Sequence, residues 1–429
     1  MNRTLAEWLD YQQRVHPRAI ELGLERVREV WRRLGAPTPA PVVITVGGTN
    51  GKGSTVAFLE AMLAASGKRV GAYTSPHLQR YNERVRVAGE DIGDAALVDA
   101  FERIEVARLE DCSEPVALTY FEYGTLAALW IFAQARLDVA VLEVGLGGRL
   151  DAVNIIDADA AIVTTIDIDH QDWLGNDRDA IGREKAGIFR RGKPAIVGEF
   201  DPPPALLEQA SLIGAELRRA GRDYAFGEAV QEWSWRAGTI ELVLPRPGLA
   251  APCQTGNAAA AIAALHALRE RLGWNSAAIA QGVRGARVGA RLQRFAGTPE
   301  LVVDVAHNPQ AARVLAAWLA QTPIEGRTIA VFGALDDKDV EGIVTALAPC
   351  IDIWYLVGLA RESPRGLTEQ ALRQRITRIP AEAIVVEGAD VTQVLEDACA
   401  STLPGDRVLA FGSFMVAAPA LAFATSRLS

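Results

Sequence analysis

Residues 42–55 carry the side chains best suited to phosphate chemistry. Five β-favouring residues lead into a run with four glycines and Lys52, and an apolar helical pattern follows at once. Glycines let the backbone curl so that several N–H groups point inward, and a helix start adds roughly half a positive charge. Lys52 would supply a mobile full charge for terminal phosphate oxygens. This order of strand, loop and helix predicts a binding site for a nucleoside triphosphate.

The loop departs from the P-loop pattern directly after its lysine. Gly53 stands where that pattern has Ser or Thr directly after the lysine. A magnesium-binding hydroxyl would then come from Ser54, Thr55 or elsewhere. A glycine-rich turn without a ligand is the alternative, although strand and helix flank the loop where phosphate binding needs them.

Further polar residues stand at the predicted ends of other apolar strands. Ser75 follows one strand, Glu143 ends the next, and His170 follows a third. In open parallel α/β sheets ligands bind beyond the carboxyl ends of the strands, so these side chains should converge with the loop. Magnesium prefers hard oxygens beside phosphates, which favours metal ligation by Glu143. Pairing of Glu143 with Arg149 and a plain surface position for His170 are the alternatives.

Three more segments carry groups whose roles stay open at this point. Lys185 could be a solvated helix lysine. Asp304 and His307 end a predicted strand and precede a helix capped by Asn308. They could close on the nucleotide from a second domain, or serve local capping. Arg291 could contact phosphate or be an ordinary surface arginine.

The elements that must position these groups alternate between apolar strands and helices. Such alternation indicates a parallel sheet covered on both faces. A helical pattern over residues 4–34 precedes the loop, and residues 80–93 predict a surface loop. Ser75 before a proline predicts a helix N-cap. Residues 222–255 predict a small antiparallel appendage.

A second α/β unit is predicted to start near residue 296. Its predicted strands are 301–305, 328–332, 353–357, 383–386 and 407–411. The predicted fold class is therefore α/β, with an N-terminal P-loop-containing, ATPase-like domain over residues 1–294 that has a mostly parallel sheet. A smaller C-terminal Rossmann-like α/β domain is predicted over residues 295–429.

Composition and charge exclude several classes of partner. The net charge of −9 argues against nucleic acid or an anionic membrane, and suits a small anionic substrate bound at a local positive site. No charge-free apolar stretch reaches the roughly 18 residues of a membrane helix, and no signal peptide is visible, so we expect a cytoplasmic protein. The cysteines lie far apart, which predicts neither a zinc site nor a disulfide framework; they are Cys112, Cys253, Cys350 and Cys399.

Six motifs in order resemble those of the folylpolyglutamate synthase/dihydrofolate synthase branch of the Mur ligase superfamily. They occupy residues 48–54, 74–78, 143–151, 169–170, 183–188 and 304–309. They span about residues 40–415, and their combination is highly specific. Gly53 belongs to this branch's version of the loop and ceases to be an anomaly.

The resemblance implies a role for each matched residue. The implied nucleotide contacts are Thr49, Asn50, Gly51, Lys52, Gly53, Ser54, Asn257, Arg291, Asp304 and His307. Ser75 and Glu143 would bind one magnesium ion, and His170 would join Glu143 around a second. The implied substrate contacts are Thr119, Tyr120, Phe121, Glu122, Leu150, Asp151 and Ala152, with Phe121 as a stacking face.

Lys185 matches a lysine that is carbamylated in this superfamily. A cation near two magnesium ions would be repelled, whereas a carbamate is an oxygen anion that can hold or orient the metal site. With Glu143 and His170, Lys185 is therefore an implied catalytic residue.

The activity implied is that of an ATP-dependent amide ligase. It would add L-glutamate to 7,8-dihydropteroate, and to tetrahydrofolate and its polyglutamates, through an acyl phosphate. Expected small-molecule partners are ATP, dihydropteroate, folates and L-glutamate, with two Mg²⁺ sites, and the need for a monovalent cation stays open. We expect a monomer.

Two other classes compete with this interpretation. A Mur-type cell-wall peptide ligase is disfavoured by the motifs at 74–78 and 143–151, and by the lack of an N-terminal domain of about 80–100 residues for a nucleotide sugar. A nucleotide-binding module without ligase activity would need the loop but not a two-metal site, and a simple ATPase would not need the second domain.

Overall fold

The apolar run before the glycine loop forms a strand at the centre of a sheet. The structure is a computed structural model that describes residues 3–16, 18, 20–110, 115–376, 379–380 and 383–428. It divides into two compact units, Met1–Gly248 with Thr255–Arg287, and Leu249–Gln254 with Val288–Ser429. The predicted domain boundary, between residues 294 and 295, falls inside a strand of the second unit, Gln293–Phe295.

The first unit contains a mostly parallel sheet and a small antiparallel one. The strands are β1 (Val42–Gly47), β2 (Val70–Tyr73), β3 (Val85–Val87), β4 (Glu90–Asp91), β5 (Val139–Glu143), β6 (Ala160–Val163), β7 (Pro194–Val197), β8 (Glu216–Arg219), β9 (Ala225–Glu228), β10 (Glu232–Ala237) and β11 (Ile240–Pro245). The helices are α1 (Leu5–Val15), α2 (Glu25–Arg33), α3 (Lys52–Ala65), α4 (Asp94–Arg108), α5 (Tyr120–Gln134), α6 (Gln171–Leu174), α7 (Arg178–Ala186), α8 (Pro204–Ile213), α9 (Gln254–Ala267), α10 (Arg269–Leu272) and α11 (Ser276–Gly285).

The large sheet has the order β4-β3-β2-β5-β1-β6-β7-β8. Only the β2–β3 and β3–β4 pairs are antiparallel among the described residues. All six residues of β1 are buried, so helices and loops cover the centre of the sheet on both faces. This explains why the strand has a continuous apolar run and no alternation. The order places β1 between β5 and β6, and that arrangement decides which loops meet.

The antiparallel appendage is confirmed as the sheet β11-β10-β9. The alternation in its sequence corresponds to one buried face, because Trp233, Trp235, Leu242 and Leu244 are buried while their neighbours are more exposed.

Three local predictions for the first unit are wrong. The helical pattern over 4–34 is two helices, α1 and α2, since His16 and Leu24 bracket a non-helical connection in the described residues. Residues 80–93 contain a 3₁₀ turn, Tyr81–Arg84, followed by β3 and β4, and several of their side chains are buried. Ser75 is not a helix N-cap, because residues 76–80, which follow it directly, are not helical. The Ser75–Pro76 peptide bond is cis.

The second unit is a six-stranded sheet of order β12-β13-β17-β14-β15-β16. Its strands are β12 (Gln293–Phe295), β13 (Glu300–Val303), β14 (Thr328–Phe332), β15 (Ile353–Val357), β16 (Ile384–Gly388) and β17 (Arg407–Phe411). Its helices are α12 (Pro309–Gln321), α13 (Val340–Leu347), α14 (Glu369–Arg375), α15 (Val391–Ala400) and α16 (Phe414–Leu428). Only β12 runs antiparallel to its neighbour among the described residues, and Phe332, Trp354 and Phe411 pack in the core.

The predicted fold class is confirmed, with α/β architecture and mostly parallel sheets in both units. Over the described residues, no helix combines the length and apolarity that crossing a membrane requires. Cys253, Cys350 and Cys399 form no disulfide, and Cys112 lies outside the described residues.

Candidate active site

Four polar segments meet at one edge of the first unit's sheet. Strands β2, β5, β1 and β6 are adjacent and parallel, so their carboxyl ends lie side by side. The glycine loop follows β1 and Ser75 follows β2. Glu143 ends β5 and the segment to His170 follows β6. The convergence predicted from the strand ends is therefore observed for all four segments, which lie where open α/β sheets bind ligands.

Two glycines give the loop after β1 its shape. Gly48 has φ +144° and Gly51 has φ +87°, and both values are unfavourable for residues with a side chain. A Cβ atom on Gly48 would lie 1.9 Å from Thr164 Oγ1, and one on Gly51 would lie 2.4 Å from Asn257 Oδ1. Only glycine allows these approaches. Asn257 of α9 therefore packs directly against the loop backbone, which supports its predicted place at the nucleotide site.

The segment after β6 holds the glycine loop in position. The N–H of Thr49 donates to the carbonyl of Thr165 at 2.8 Å, and the N–H of Asn50 donates to Thr165 Oγ1 at 3.0 Å. Thr164 Oγ1 donates to the Asn50 carbonyl at 2.6 Å, and Thr49 Oγ1 donates to the Asp167 carbonyl at 3.0 Å. The loop is thereby fixed before any ligand binds.

Lys52 is the first residue of α3, and its Nζ donates to the carbonyl oxygens of Gly48 at 3.0 Å and Thr49 at 3.1 Å. The ammonium group therefore lies over the loop, at the helix N-terminus, where it can turn to a bound phosphate.

The two hydroxyl residues after Gly53, Ser54 and Thr55, have different surroundings. Thr55 Oγ1 donates to the Gly51 carbonyl at 2.9 Å, whereas Ser54 is a buried residue of the first helical turn.

Glu143 and Ser75 are neighbours at the ends of β5 and β2. Glu143 is only 4% exposed, and its Oε2 accepts from the Ser75 N–H at 3.1 Å. A buried carboxylate beside a serine and a phosphate loop fits magnesium, which commonly takes one or two carboxylates and completes its shell with substrate phosphates and water. Within the described ranges, no three acidic, imidazole or thiol side chains form a preassembled metal cluster.

The alternative pairing of Glu143 with Arg149 is wrong. Arg149 donates from Nη2 to Glu184 Oε1 at 2.8 Å and from Nε at 3.0 Å. Its N–H also donates to the Glu184 carbonyl, which fastens the loop after β5 to α7. A Cβ on Gly148 would lie 3.2 Å from the Lys185 Cα, so the glycine-rich run permits the close packing of α7.

Lys185 is buried near the phosphate loop and is not a solvated helix lysine. Its residue exposure is 3%, and burial lowers the pKa of its ammonium group to about 7. The nearby charge of Lys52 also lowers this pKa and Asp169 and Asp151 raise it, and the value of about 7 includes these effects. The uncharged amine is therefore far easier to reach at neutral pH than in an ordinary lysine, which is almost wholly protonated there.

His170 lies at the same sheet edge with a left-handed backbone, φ 53° and ψ 44°, directly before α6. Its N–H donates to Asp169 Oδ1 at 2.8 Å. Histidine tolerates this conformation better than most residues, but the position still stores strain of the kind that clusters at functional sites. The predicted metal role of His170 stays a prediction.

The first predicted substrate segment begins α5. Thr119 is the N-cap and forms a capping box with Glu122, whose Oε2 accepts from the Thr119 N–H at 2.7 Å. Glu122 Oε1 accepts from Arg26 Nη2 at 3.0 Å, so both of its oxygens are used within the protein. Tyr120 and Phe121 are only partly buried. They are the better candidates for direct contact with a ligand.

Phe121 connects this segment to the loop after β5. Its ring lies 6.1 Å from that of Tyr73, and a Cβ on Gly145 would lie 2.5 Å from Phe121 Cζ. Asp151, which is 2% exposed, accepts from the N–H groups of Leu146 and Val153. Burial raises the pKa of Asp151 to about 7, although the hydrogen bonds from those N–H groups act in the opposite direction.

The sequence did not predict that residues around the start of α2 belong to this region. The Gly23 N–H donates to the Leu150 carbonyl at 3.3 Å, and Arg26 pairs with Glu122. These contacts join the N-terminal region to both predicted substrate segments, and Ala152 is buried beside them. The signal available in the sequence was Gly23, because a glycine there interrupts the helical pattern of residues 4–34.

In the second unit, three predicted residues form one cluster. Asp304 accepts from the N–H groups of Leu292 and Ala306, both at 2.7 Å. Burial raises the pKa of Asp304 and the positive charge of Arg291 opposes that rise. His307 Nδ1 lies 2.7 Å from the Val305 carbonyl. The predicted N-cap of α12, Asn308, is confirmed by its bond from the Ala311 N–H.

Comparisons with known proteins agree with these motifs. Residues 46–264 match the Mur ligase middle domain, and residues 290–414 match the Mur ligase glutamate ligase domain. The dihydrofolate synthase/folylpolyglutamate synthase of Escherichia coli (strain K12) is 45% identical over 427 residues, which cover 99% of this chain and 96% of that protein.

Two solved structures are similar over nearly the whole chain. E. coli FolC in complex with DHPP and ADP has a TM-score of 0.91 and 44% identity, covering 100% of this chain and 99% of that one. A bifunctional folylpolyglutamate synthase/dihydrofolate synthase with Mn, AMPPNP and L-glutamate bound has a TM-score of 0.89 and 44% identity, covering 98% of each chain. The glycine loop, the buried acidic group beside Ser75 and these full-length similarities lead to one conclusion: the chain belongs to the dihydrofolate synthase/folylpolyglutamate synthase family of Mur ligases.

Proposed function

We propose that the protein is an ATP-dependent ligase that joins L-glutamate to 7,8-dihydropteroate and to tetrahydrofolate and its polyglutamates. One observation carries the proposal. The phosphate loop, the Glu143–Ser75 pair and buried Lys185 lie at one sheet edge, beside a segment that presents the aromatic ring of Phe121. A site that only bound nucleotide would need the loop but not the other groups.

The triphosphate would bind across the glycine loop and the start of α3. Backbone N–H groups of Gly51, Gly53 and Ser54 would face its oxygens, and Lys52 would leave the Gly48 and Thr49 carbonyls to contact the terminal phosphate. Two anions, the triphosphate and a carboxylate, have to approach each other in this reaction. Positive charge at the loop offsets a repulsion of about 4 kcal/mol at an effective dielectric near 20.

A divalent cation is a required part of this proposal. The solved relative with AMPPNP contains Mn, and we propose Mg²⁺ in this chain, held by Ser75 and Glu143, with His170 at a second site. When bound, such an ion neutralises charge on the transferring phosphoryl group. We also propose that a monovalent cation assists binding.

The lowered pKa of Lys185 favours the uncharged amine that carbamylation requires. Its uncharged amine nitrogen would attack the carbon of CO₂, and the nitrogen would then lose one proton to solvent. The product is an anionic carbamate in place of a cation. A positive side chain beside Lys52 and metal ions would be repelled, whereas a carbamate would attract them.

The chemical sequence has two steps. A carboxylate oxygen of the pterin acid attacks the γ-phosphorus, and the bond to ADP breaks, which gives an acyl phosphate and ADP. The uncharged amine of L-glutamate then attacks the acyl carbon, phosphate leaves, and the new amide nitrogen loses a proton. The protein's contribution is position and charge, as is typical of phosphoryl transfer.

Asn257, together with Arg291, Asp304 and His307 of the second unit, is proposed to contact the nucleotide. The residues Thr119, Tyr120, Phe121, Glu122, Leu150, Asp151 and Ala152 are proposed to form the pterin site. We further propose that residues 1–294 bind ATP and pterin, that residues 295–429 serve glutamate ligation, and that the enzyme is a cytoplasmic monomer.

Product analysis tests the proposal. Purified protein is incubated with ATP, Mg²⁺ and labelled L-glutamate, and with either dihydropteroate or tetrahydrofolate. We expect one labelled amide product for each pterin acid, formed together with one ADP per bond. ATP hydrolysis that does not depend on a pterin acid, with no labelled amide, would refute it.

A further inference from the structure

Arg84 is a buried arginine without an acidic partner in the part of the chain that the structure describes. It is 8% exposed and lies at the end of the 3₁₀ turn before β3. Other buried or partly buried arginines of this unit are paired, for example Arg108 with Glu105 at 2.7 Å and Arg86 with Glu60 at 2.9 Å. A buried charge is costly unless it is paired, so the exception calls for a ligand.

Three side chains fix the Arg84 guanidinium in one orientation. Its carbon lies 5.1 Å from the ring centroid of Tyr81 and 5.4 Å from that of Tyr120. Its Nε donates to His77 Nδ1 at 2.8 Å, and that nitrogen must be the acceptor because a guanidinium only donates. The neighbouring carboxylate of Glu83 is occupied elsewhere, by the N–H groups of Leu78, Gln79 and Arg80.

The terminal nitrogens of Arg84 remain available. Nη1 and Nη2 donate to no described residue. Neither of them is a fully buried atom without a hydrogen-bond partner, so both contact solvent. The side chain is thus buried on its Nε side and open at its two-nitrogen end. This end has the geometry that binds a carboxylate through two parallel hydrogen bonds.

The position of Arg84 lies between the two halves of the proposed site. The Thr74 N–H donates to the Arg84 carbonyl at 2.9 Å, and the next residue, Ser75, contacts Glu143. On its other side, Arg84 packs on Tyr120, which precedes the proposed stacking residue Phe121. A pterin on Phe121 whose acid group extends toward the phosphate loop would pass this guanidinium.

We propose that Arg84 binds the carboxylate end of the pterin acid and orients it toward the γ-phosphate. The inference rests on the proposed function. The same group would hold the acyl phosphate, since that intermediate is also anionic. Arg84 is then a determinant of specificity for acids, and His77, Tyr81 and Tyr120 are positioning residues.

A binding cycle without ATP or glutamate tests the proposal. The dissociation constants of dihydropteroate and of its uncharged carboxamide are measured by calorimetry for the wild type, Arg84→Gln and Arg86→Gln. We expect the wild type to prefer the acid, and Arg84→Gln to reduce that preference at least tenfold. Arg86→Gln should leave it unchanged, because Arg86 is already paired with Glu60.

Each outcome is decisive. If Arg84→Gln weakens acid and amide equally, Arg84 supports the fold only and the proposal is wrong. If Arg84→Gln is unstable, Arg84→Lys takes its place, because lysine keeps the charge but cannot form two parallel hydrogen bonds to a carboxylate. An acid preference of Arg84→Lys equal to that of the wild type would also overturn the proposal. Wild-type protein that binds neither pterin would instead refute the proposed function itself.

Discussion

Replacing Lys185 by methionine should stabilise the protein and abolish its ligase activity. The amine has a pKa of about 7 in the folded state, against an ordinary value of 10.5. Between these pH values the unfolded chain binds more protons than the folded one, so the wild type gains stability as pH rises from 7 toward 10.5. Burial of the lysine therefore costs about 4 kcal/mol at pH 7 and about 2 kcal/mol at pH 9.

Methionine keeps the unbranched apolar stem at position 185 and has no charge to desolvate. We expect Lys185→Met to raise the free energy of unfolding by about 4 kcal/mol at pH 7, and by only about half as much at pH 9. Chemical denaturation of both proteins in CO₂-depleted buffer measures these differences, since titrating groups that do not interact with Lys185 cancel. Lys68→Met, at a half-exposed position in the turn after α3, is the matched control and should show neither effect.

Three results would refute this reasoning. Lys185→Met could be less stable than the wild type, which would mean that the buried ammonium is well paired. Its advantage could be the same at pH 7 and pH 9, which would mean that the amine does not titrate in that range. Full ligase activity in the variant would show that no carbamate is needed.

Lys52→Ala should lower ATP turnover at least a hundredfold with an unchanged circular dichroism spectrum, and substantial ligase activity would contradict the loop's role. Gly51→Ala should raise the KM for ATP about tenfold, because φ is +87° and the added Cβ would approach Asn257; an unchanged KM would count against this geometry. Asp304→Ala loses two backbone hydrogen bonds and should cost roughly 2–4 kcal/mol of stability. The kcat/KM of Asp304→Ala, measured well below its unfolding temperature, should fall by more than the fraction of unfolded protein explains. A kcat/KM equal to that of the wild type would leave the second unit without a catalytic role.

The sequence alone was sufficient where a pattern is local. The strand, glycine loop and helix around Lys52 follow from residues that are consecutive in the chain, and the predicted cap Asn308 acts within one helical turn. The six motifs were sufficient to indicate the family, because their order and spacing are specific. Polar residues at apolar strand ends correctly indicated which segments would meet.

Local patterns failed where the partners are distant. The break between α1 and α2 and the strands β3 and β4 were missed, since tertiary contacts override the helical and loop patterns there. No spacing in the sequence could show that Arg149 pairs with Glu184 and not with Glu143.

The sequence determined the kinds of groups at the site, and the tertiary structure decided their physical states. A lysine in a helix next to a glutamate is a solvated cation in most proteins. Lys185 differs because α7 packs against the loop after β5, at Gly148, and buries its amine near Lys52. Likewise, only the folded structure shows that Arg84 is buried without a carboxylate partner among the described residues. Desolvation and the sum of nearby charges depend on elements far apart in the chain, and those distances exist only in the folded protein.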